Sequence, residues 1–580
     1  MRHKKSNFLR ANALLALSAI AIAIVSLPAA AQTAAQVQDA ARQGDQRLRQ
    51  EQERLRVEQE RNRREQTPSG VDLKKMLPQV DASKAAGPCK NVSVIALKGA
   101  ELMDLDDQES VAGKFTGRCL ATADIEKLMG QVTQHYIERG FVTTRAYLPA
   151  QDLSGGKLEL LVVEGRIERL VVDGDPQNRI NLAWAVPAQA GDMLNIRDLE
   201  QAVDQINSVS ANKVKLDILP GSGPGKSVVL FRNVAASPVG LEFASDNMGV
   251  TATGKNGLAA TLTLGGLLGL NENLALTYRS SRPHSPNASS DSAAVGVTLP
   301  SGYATYSLSA SVSNYSTGLL TALGRHMVAS GKASTLAATA DRVMVRDQES
   351  LHAVTASLSS TDGKNYLDDA YLQVNSRRAI TLSVGLRSTL RVAGGNLSIL
   401  PELAMGMNEM GNLPAGVNAA SDGPQAQFTK FVANVNYDKR FKWADQSWGW
   451  NSSFKGQRSK DQLLGSQQLL IGGVPSIRGF VSNVVIGDSG YYWRNELALY
   501  TQFNVESMQV KSKFYAGYDA GYVESNSASG THGNLSGYAL GLVTNFKPAT
   551  VDLAWTRASR LPDGMTREAA QTWVRVSFSL

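Results

Sequence analysis

Residues 306–312 read YSLSASV, so Tyr306, Leu308, Ala310 and Val312 alternate with Ser307, Ser309 and Ser311. Successive side chains of an extended chain point to opposite faces, which gives this stretch one apolar face and one hydroxyl-lined face. The same period of two recurs on either side. Val239, Leu241 and Phe243 alternate with Gly240, Glu242 and Ala244, and Leu262 and Leu264 alternate with Thr261 and Thr263. Sustained from about Pro238 to the C-terminus, the pattern describes strands with lipid on one side and a polar lumen on the other. A soluble sandwich also alternates, but it does not usually run for about 340 residues as one domain.

Connection lengths point the same way. Leu270-Asn271-Glu272-Asn273 and Pro300-Ser301-Gly302 read as short turns, whereas the segments around 247–256, 283–291, 316–335 and 472–489 are longer. Short turns on one rim and long loops on the other are the pattern of bacterial barrels, and roughly 21 residues per strand and connection gives about 16 strands. Backbone amides find no water in lipid, so such a sheet must close on itself. The composition agrees: 43% of residues are hydrophobic and 19% charged, with 51 glycines, and no apolar run beyond the N-terminus reaches the roughly 20 residues of a membrane helix.

The N-terminus reads as a secretory signal peptide over 1–31. Arg2, Lys4, Lys5 and Arg10 precede an apolar core from Ala11 to Leu27, and Ala29-Ala30-Ala31 offers cleavage between Ala31 and Gln32. Removing its four cations takes the formal charge from +7 to 7 − 4 = +3, so the basic balance gives no reason to expect nucleic acid as a partner. Residues 32–66 are dense in Gln, Arg and Glu, without Gly or Pro from Asp45 to Gln66. As one helix, 33–66 would extend about 50 Å. A helix polar all round sits in water as a linker, pairs with charges, or occupies a polar cavity. Pro68-Ser69-Gly70 ends it, and 67–88 reads as a linker.

Two small α/β units come next. In 89–165, Val92 to Leu97 suggests a strand, and Thr122 to Arg139 places Ile125, Leu128, Val132 and Tyr136 at helical spacing. Thr122 stands where a cap is expected and Gly140 where a C-terminal glycine is expected. Val142–Leu148 and Leu158–Val163 read as strands around the turn at Ser154-Gly155-Gly156. Residues 166–234 repeat the order, with a strand at Ile167–Val172, a helix at Ile196–Asn207 and a hairpin from Lys213–Leu219 and Ser227–Arg232, an internal repeat. The chain has two cysteines, Cys89 and Cys119, and an even count in an exported protein suggests a structural disulfide. Residues 235–580 complete the chain as the barrel.

Two features resemble chemistry that the sequence does not support. Gly221-Ser222-Gly223-Pro224-Gly225-Lys226-Ser227 approaches a phosphate-binding loop, but the pattern needs glycine where Pro220 stands, and a strand comes after it instead of a helix. Nucleotide binding is not expected. The six histidines (3, 135, 284, 326, 352 and 532) form no triad or metal spacing, so no enzyme, metal or cofactor is expected.

Three motifs make the chain resemble the transporters of two-partner secretion, the TpsB family (ShlB/FhaC/HecB-like, related to BamA-type proteins). Ile471-Gly472-Gly473-Val474-Pro475-Ser476-Ile477-Arg478-Gly479-Phe480 is similar to that family's VRGY/F loop, with Ile477 in place of valine. Tyr518-Asp519-Ala520-Gly521 is similar to its D-x-G strand motif, and Asp246-Asn247-Met248-Gly249 with Thr253-Gly254 to its first barrel hairpin. The chain departs from the pattern at its end, where Leu580 stands in place of an aromatic residue. The resemblance implies a polar plug helix at 32–66, POTRA domains at 89–165 and 166–234, and a loop folded into the lumen so that Arg478 meets Asp519. It further implies residence in the outer membrane among lipids that include lipopolysaccharide, with the POTRA domains in the periplasm. The implied partner is a secreted exoprotein with an N-terminal secretion domain, such as an adhesin, haemolysin or toxin. The rival reading is a BamA-like factor that inserts other barrels. Two POTRA-like repeats and the long N-terminal helix favour export.

Overall fold

The computed structural model describes Leu73 and residues 88–580, apart from 178, 321–325, 373–375, 408–423, 425, 507 and 528–531. The expected signal peptide (with Ala31 and Gln32), the helix at 32–66 and most of the linker lie outside the described residues.

The first α/β unit is organised by the helix Thr122–Glu138, whose face of Ile125, Leu128, Val132 and Tyr136 is buried against Leu158, Leu160 and Val162 of the strand Lys157–Val163. Burying each such side chain contributes roughly 1.5–3 kcal/mol. The helix start differs from expectation. Thr122 is its first residue rather than its cap, and the Asp124 carboxylate accepts the amide of Ala121 at 2.9 Å, in the manner of half a capping box. Gly140, with φ +94°, turns the chain out of the helix. The strand expected over Val142–Leu148 is confined to Arg145–Tyr147, because Val142–Thr144 forms a turn closed by the Thr144 amide on Phe141 O. The sequence reading also missed a short helix, Leu105–Ala112, and a two-stranded ribbon of Lys90–Val92 on Arg118–Leu120. That ribbon carries the disulfide Cys89–Cys119, which closes a separation of 30 residues and stabilises the unit by roughly 3 kcal/mol in the chain-entropy account.

The repeat is real at the level of topology. In each unit the last strand lies in the middle of a three-stranded sheet, parallel to the first strand and antiparallel to the second. The second unit, like the first, has a short helix, Leu182–Ala185, before its main helix Ile196–Asn207. Ile137 and Val142 of the first unit belong to the same buried cluster as Ile167, Leu199 and Phe231 of the second, so the units share an apolar seam.

From Val239 onward sixteen long antiparallel strands, with the two-residue strand Ala370–Tyr371, close into a barrel among the described residues. Tyr306, Leu308 and Val312 are exposed on its outer surface, as are Phe431, Leu497, Phe514 and Tyr538. In water that surface would be an aggregation hazard; in lipid it is satisfied. The strands reach 21 residues at His326–Arg346, more than the roughly 9–11 needed to cross a bilayer. Much of the loop expected at 316–335 is therefore ladder that projects past the membrane.

The second α/β unit is docked on the short turns of the barrel. Asn181 and Asn271 exchange hydrogen bonds at 2.9 and 2.8 Å, and Gln205 Nε2 donates to Gly302 O and Ala304 O at 2.8 and 3.0 Å. Arg346, buried at the base of its strand, lies 2.6 Å from Asp204 and 3.6 Å from Glu200, and its Nη1 donates to Gln201 at 3.0 Å. The Tyr303 hydroxyl donates to Asp198. These contacts fix which end of the barrel faces the α/β units and leave the long connections at the opposite end.

Candidate functional site

The connection between the strands Gln446–Ser459 and Ser489–Val505 does not stay at the rim. It forms a small hairpin, Leu469–Ile471 on Val485–Gly487, and packs Ile471, Ile477 and Phe480 with Tyr492, Val523, Leu535 and Ala558 of the wall. Its base is fixed by buried Asp488, which accepts from the amides of Leu463 and Asn526 at 2.9 and 2.7 Å and from Gln468 Nε2 at 2.9 Å. The apolar loop face packed on this apolar patch of the wall makes it a folded element inside the lumen.

Arg478 stands at the centre. It is 4% exposed, and Asp519 is fully buried. Arg478 Nε donates to Asp519 Oδ2 at 2.7 Å and Nη2 to Oδ1 at 2.8 Å, a bidentate fork, while the backbone amide of Arg478 also reaches Oδ2 at 2.9 Å. Nη1 donates to Glu496 at 3.0 Å, and Lys513 pairs with the other oxygen of Glu496. Arg494 donates to Val474 O and Pro475 O at 3.2 and 2.9 Å, holding the loop backbone from a neighbouring strand. Charge-assisted, bidentate bonds of this kind are about twice as strong as neutral ones, and burial protects them from screening by salt.

Glycine makes the wall receptive. Gly479 has φ +102°, and a Cβ there would come 2.5 Å from the backbone of Arg557. A Cβ at Gly521 would meet Tyr491 O at 2.7 Å and the Ile477 side chain at 2.9 Å; one at Gly517 would collide with the Arg478 guanidinium, and one at Gly537 with the Arg478 carbonyl. The D-x-G motif pointed to Gly521. Gly537, Glu496 and Arg494 were not singled out from the sequence, though their inward register on adjacent strands is visible once the pairing Arg494↔Asp519 and Asp519↔Gly537 is known.

The first-hairpin residues lie elsewhere, at the seam where the last strand meets the first. Asp246 is buried, accepting from Arg279 Nη2 at 2.8 Å and from the Met248 amide at 3.0 Å. Asn247 bridges the seam: its amide donates to Val574 O at 3.2 Å, its Oδ1 accepts from Val574 N at 2.8 Å, and its Nδ2 donates to Thr572 O at 3.0 Å. Gly249 donates to Lys255 O at 2.9 Å, closing the turn. The structure therefore brings Arg478 to Asp519 but leaves the hairpin motif across a cavity of about 90 Å³ from the loop.

A closed lipid-faced barrel, with tandem α/β units on one rim and a loop locked in its lumen, defines a membrane-spanning β-barrel protein. A family model described as haemolysin secretion/activation protein ShlB/FhaC/HecB matches residues 225–544, and models of the ShlB-type POTRA domain and the POTRA domain match 91–165 and 166–220. The chain is 32% identical to an outer membrane transporter CdiB of Escherichia coli over 79% of this chain and 77% of that one. It is 28% identical to the hemolysin transporter protein ShlB of Serratia marcescens over 87% and 88%. The solved structure of CdiB from Escherichia coli superposes with a TM-score of 0.86 at 29% identity, covering 93% of this chain and 99% of that one. The chain belongs to the ShlB/FhaC/HecB family of two-partner secretion transporters. It is an outer-membrane protein whose POTRA domains lie in the periplasm, so the long connections face outward.

Proposed function

We propose that this transporter carries a large exoprotein, of the haemolysin, adhesin or toxin kind, across the outer membrane in extended form. The POTRA domains take up its N-terminal segment, and the barrel lumen is its conduit. The observation that carries this reading is the loop seated across the lumen on Arg478, Asp519 and Glu496, an anchorage that passage must alter. Capture by strand addition is supported by the open sheet edge at Arg145–Tyr147, with exposed Tyr147, Leu148 and Leu161 beside it. In this reading residues 1–31 direct export and residues 32–66 serve as the plug. The outer leaflet's lipopolysaccharide surrounds the apolar belt. The periplasm holds no nucleotide supply, so folding of the client outside gives the direction. Arg478→Ala is expected to yield a heat-modifiable, membrane-inserted barrel that releases no exoprotein into the medium from a co-expressed partner gene. Undiminished release would remove the loop from the mechanism.

A further inference from the structure

The tip of the lumen loop has a second anchor, on a different part of the wall. The amides of three consecutive residues, Val481, Ser482 and Asn483, all donate to the carboxylate of Glu568, at 3.0, 3.1 and 2.6 Å. Asn483 Nδ2 adds a bond to Thr566 O at 2.7 Å. Successive backbone amides that converge in this way form an anion-binding nest, filled here by the protein's own side chain. Glu568 belongs to the connection between the last two strands, and the last strand begins three residues later at Gln571. The connection is itself fastened, because Arg567 donates to Ala558 O and Ser559 O at 2.6 and 3.0 Å.

Glu568 sits just ahead of the strand that closes the barrel. Thr572 and Val574 of that strand are the residues that Asn247 grips across the seam. The seam ladder has five register pairs, from Arg575↔Asp246 to Ser579↔Glu242, against eight on either side of it. It is a shorter ladder than its neighbours, continued at the inner end by the reciprocal backbone bonds of Leu241 and Leu580 at 3.2 and 2.8 Å and reinforced at its outer end by Asn247 on Val574. On the last-strand side the loop tip is bonded through Glu568. On the first-strand side, the cavity of about 90 Å³ lies between the loop's Pro475 and Val481 and the hairpin's Met248, with Arg279 of the following strand Asn273–Arg282 also in its lining.

We propose that Glu568 is a positioning residue that joins the loop tip to the C-terminal side of the seam. Loop tip, last connection and last strand then move as one body, and the tip leaves the lumen only after it leaves Glu568. This rests on the reading that the loop's position governs the conduit, but it assigns a residue and a linkage beyond the Arg478 anchorage.

The test uses the full-length protein, purified in detergent and reconstituted in planar bilayers, with heat-modifiable mobility as the folding control. Glu568→Ala is expected to speed hydrogen exchange at 481–483 about tenfold, the scale of losing charge-assisted bonds, and to raise the frequency of large-conductance openings. Glu568→Gln keeps one acceptor oxygen without the charge and should fall between. Asn247→Ala should also loosen the tip while Glu568 is present, and add little in its absence, since coupled sites are not additive. Unchanged conductance in Glu568→Ala, or full additivity with Asn247→Ala, overturns the proposal. If Glu568→Ala does not assemble, Glu568→Gln decides by the same two readouts. Loss of secretion in Arg478→Ala beside an inert Glu568→Ala would overturn this linkage and leave the proposed function standing.

Discussion

Arg478 carries four hydrogen bonds to two carboxylates in a nearly dry setting, and one of these comes from its backbone. Removing one member of such a buried set leaves the others uncompensated, at a cost of roughly 3–5 kcal/mol. Lysine keeps the charge but loses the planar fork that meets both oxygens of Asp519. Arg478→Lys is therefore expected to secrete at least about tenfold less than the parent while the barrel assembles normally, which quantitative immunoblotting of the medium against the membrane fraction checks. Gly537→Val acts from the other side: its side chain would occupy the space of the Arg478 carbonyl, so it should reproduce the Arg478→Ala phenotype without touching a charge. Parental secretion by Gly537→Val would mean that the loop seats in some other way. At this scale the sequence disclosed the fork's two ends, because the Ile477-Arg478-Gly479-Phe480 run and the Asp519-Ala520-Gly521 run are local patterns. Glu496, Arg494 and Gly537 were hidden, because they come to the same height only through the stagger of separate strands, which no local pattern records.

The docking of the second POTRA domain is a matter of whole elements. The sequence predicts the helix Ile196–Asn207 but assigns no partner to its polar face. In fact Glu200, Gln201 and Gln205 are buried beneath the barrel's turns. The pattern does not disclose this, because polar residues serve equally for water and for a hydrogen-bonded interface. Arg346→Met removes the cation that faces Asp204 and Glu200, so the carboxylates remain in a poor medium and docking weakens. Limited proteolysis at the periplasmic face should then cut the POTRA region several-fold faster than in the parent, with the barrel intact. The pH dependence has a definite sign. Burial holds the Asp198 carboxyl above its ordinary value of 3.8, despite the bond donated by Tyr303. A raised acid pKa means that the folded state binds the proton more tightly than the unfolded one. Stability of the folded domain therefore rises as pH falls through the raised value, with the full gain present below the ordinary one. Hydrogen exchange over 196–207, corrected for intrinsic rates, should show protection at pH 5 at least equal to that at pH 7, and Asp198→Asn should flatten the difference. Weaker protection at pH 5 would contradict this assignment.

At the scale of the molecule, the alternation around Tyr306–Val312 and its repeats foretold a closed sheet of about sixteen strands, because lipid leaves no other arrangement for so many two-faced strands. The register of closure was not foretold, since it depends on how the last strand meets the first. That seam, the lumen loop and the POTRA domains are arranged around one polar channel, and a client running through that channel is the central claim. The direct measurement is site-specific photo-crosslinking to a co-expressed exoprotein stalled by a folded C-terminal fusion. The probe is placed at lumen-facing Asn436, which accepts from Ser453 Oγ at 2.7 Å, or at lipid-facing Leu497, which is exposed on the outer wall. Adducts are expected from Asn436 and none from Leu497. Adducts confined to Leu497, or to the POTRA domains with none in the lumen, would contradict passage through the barrel.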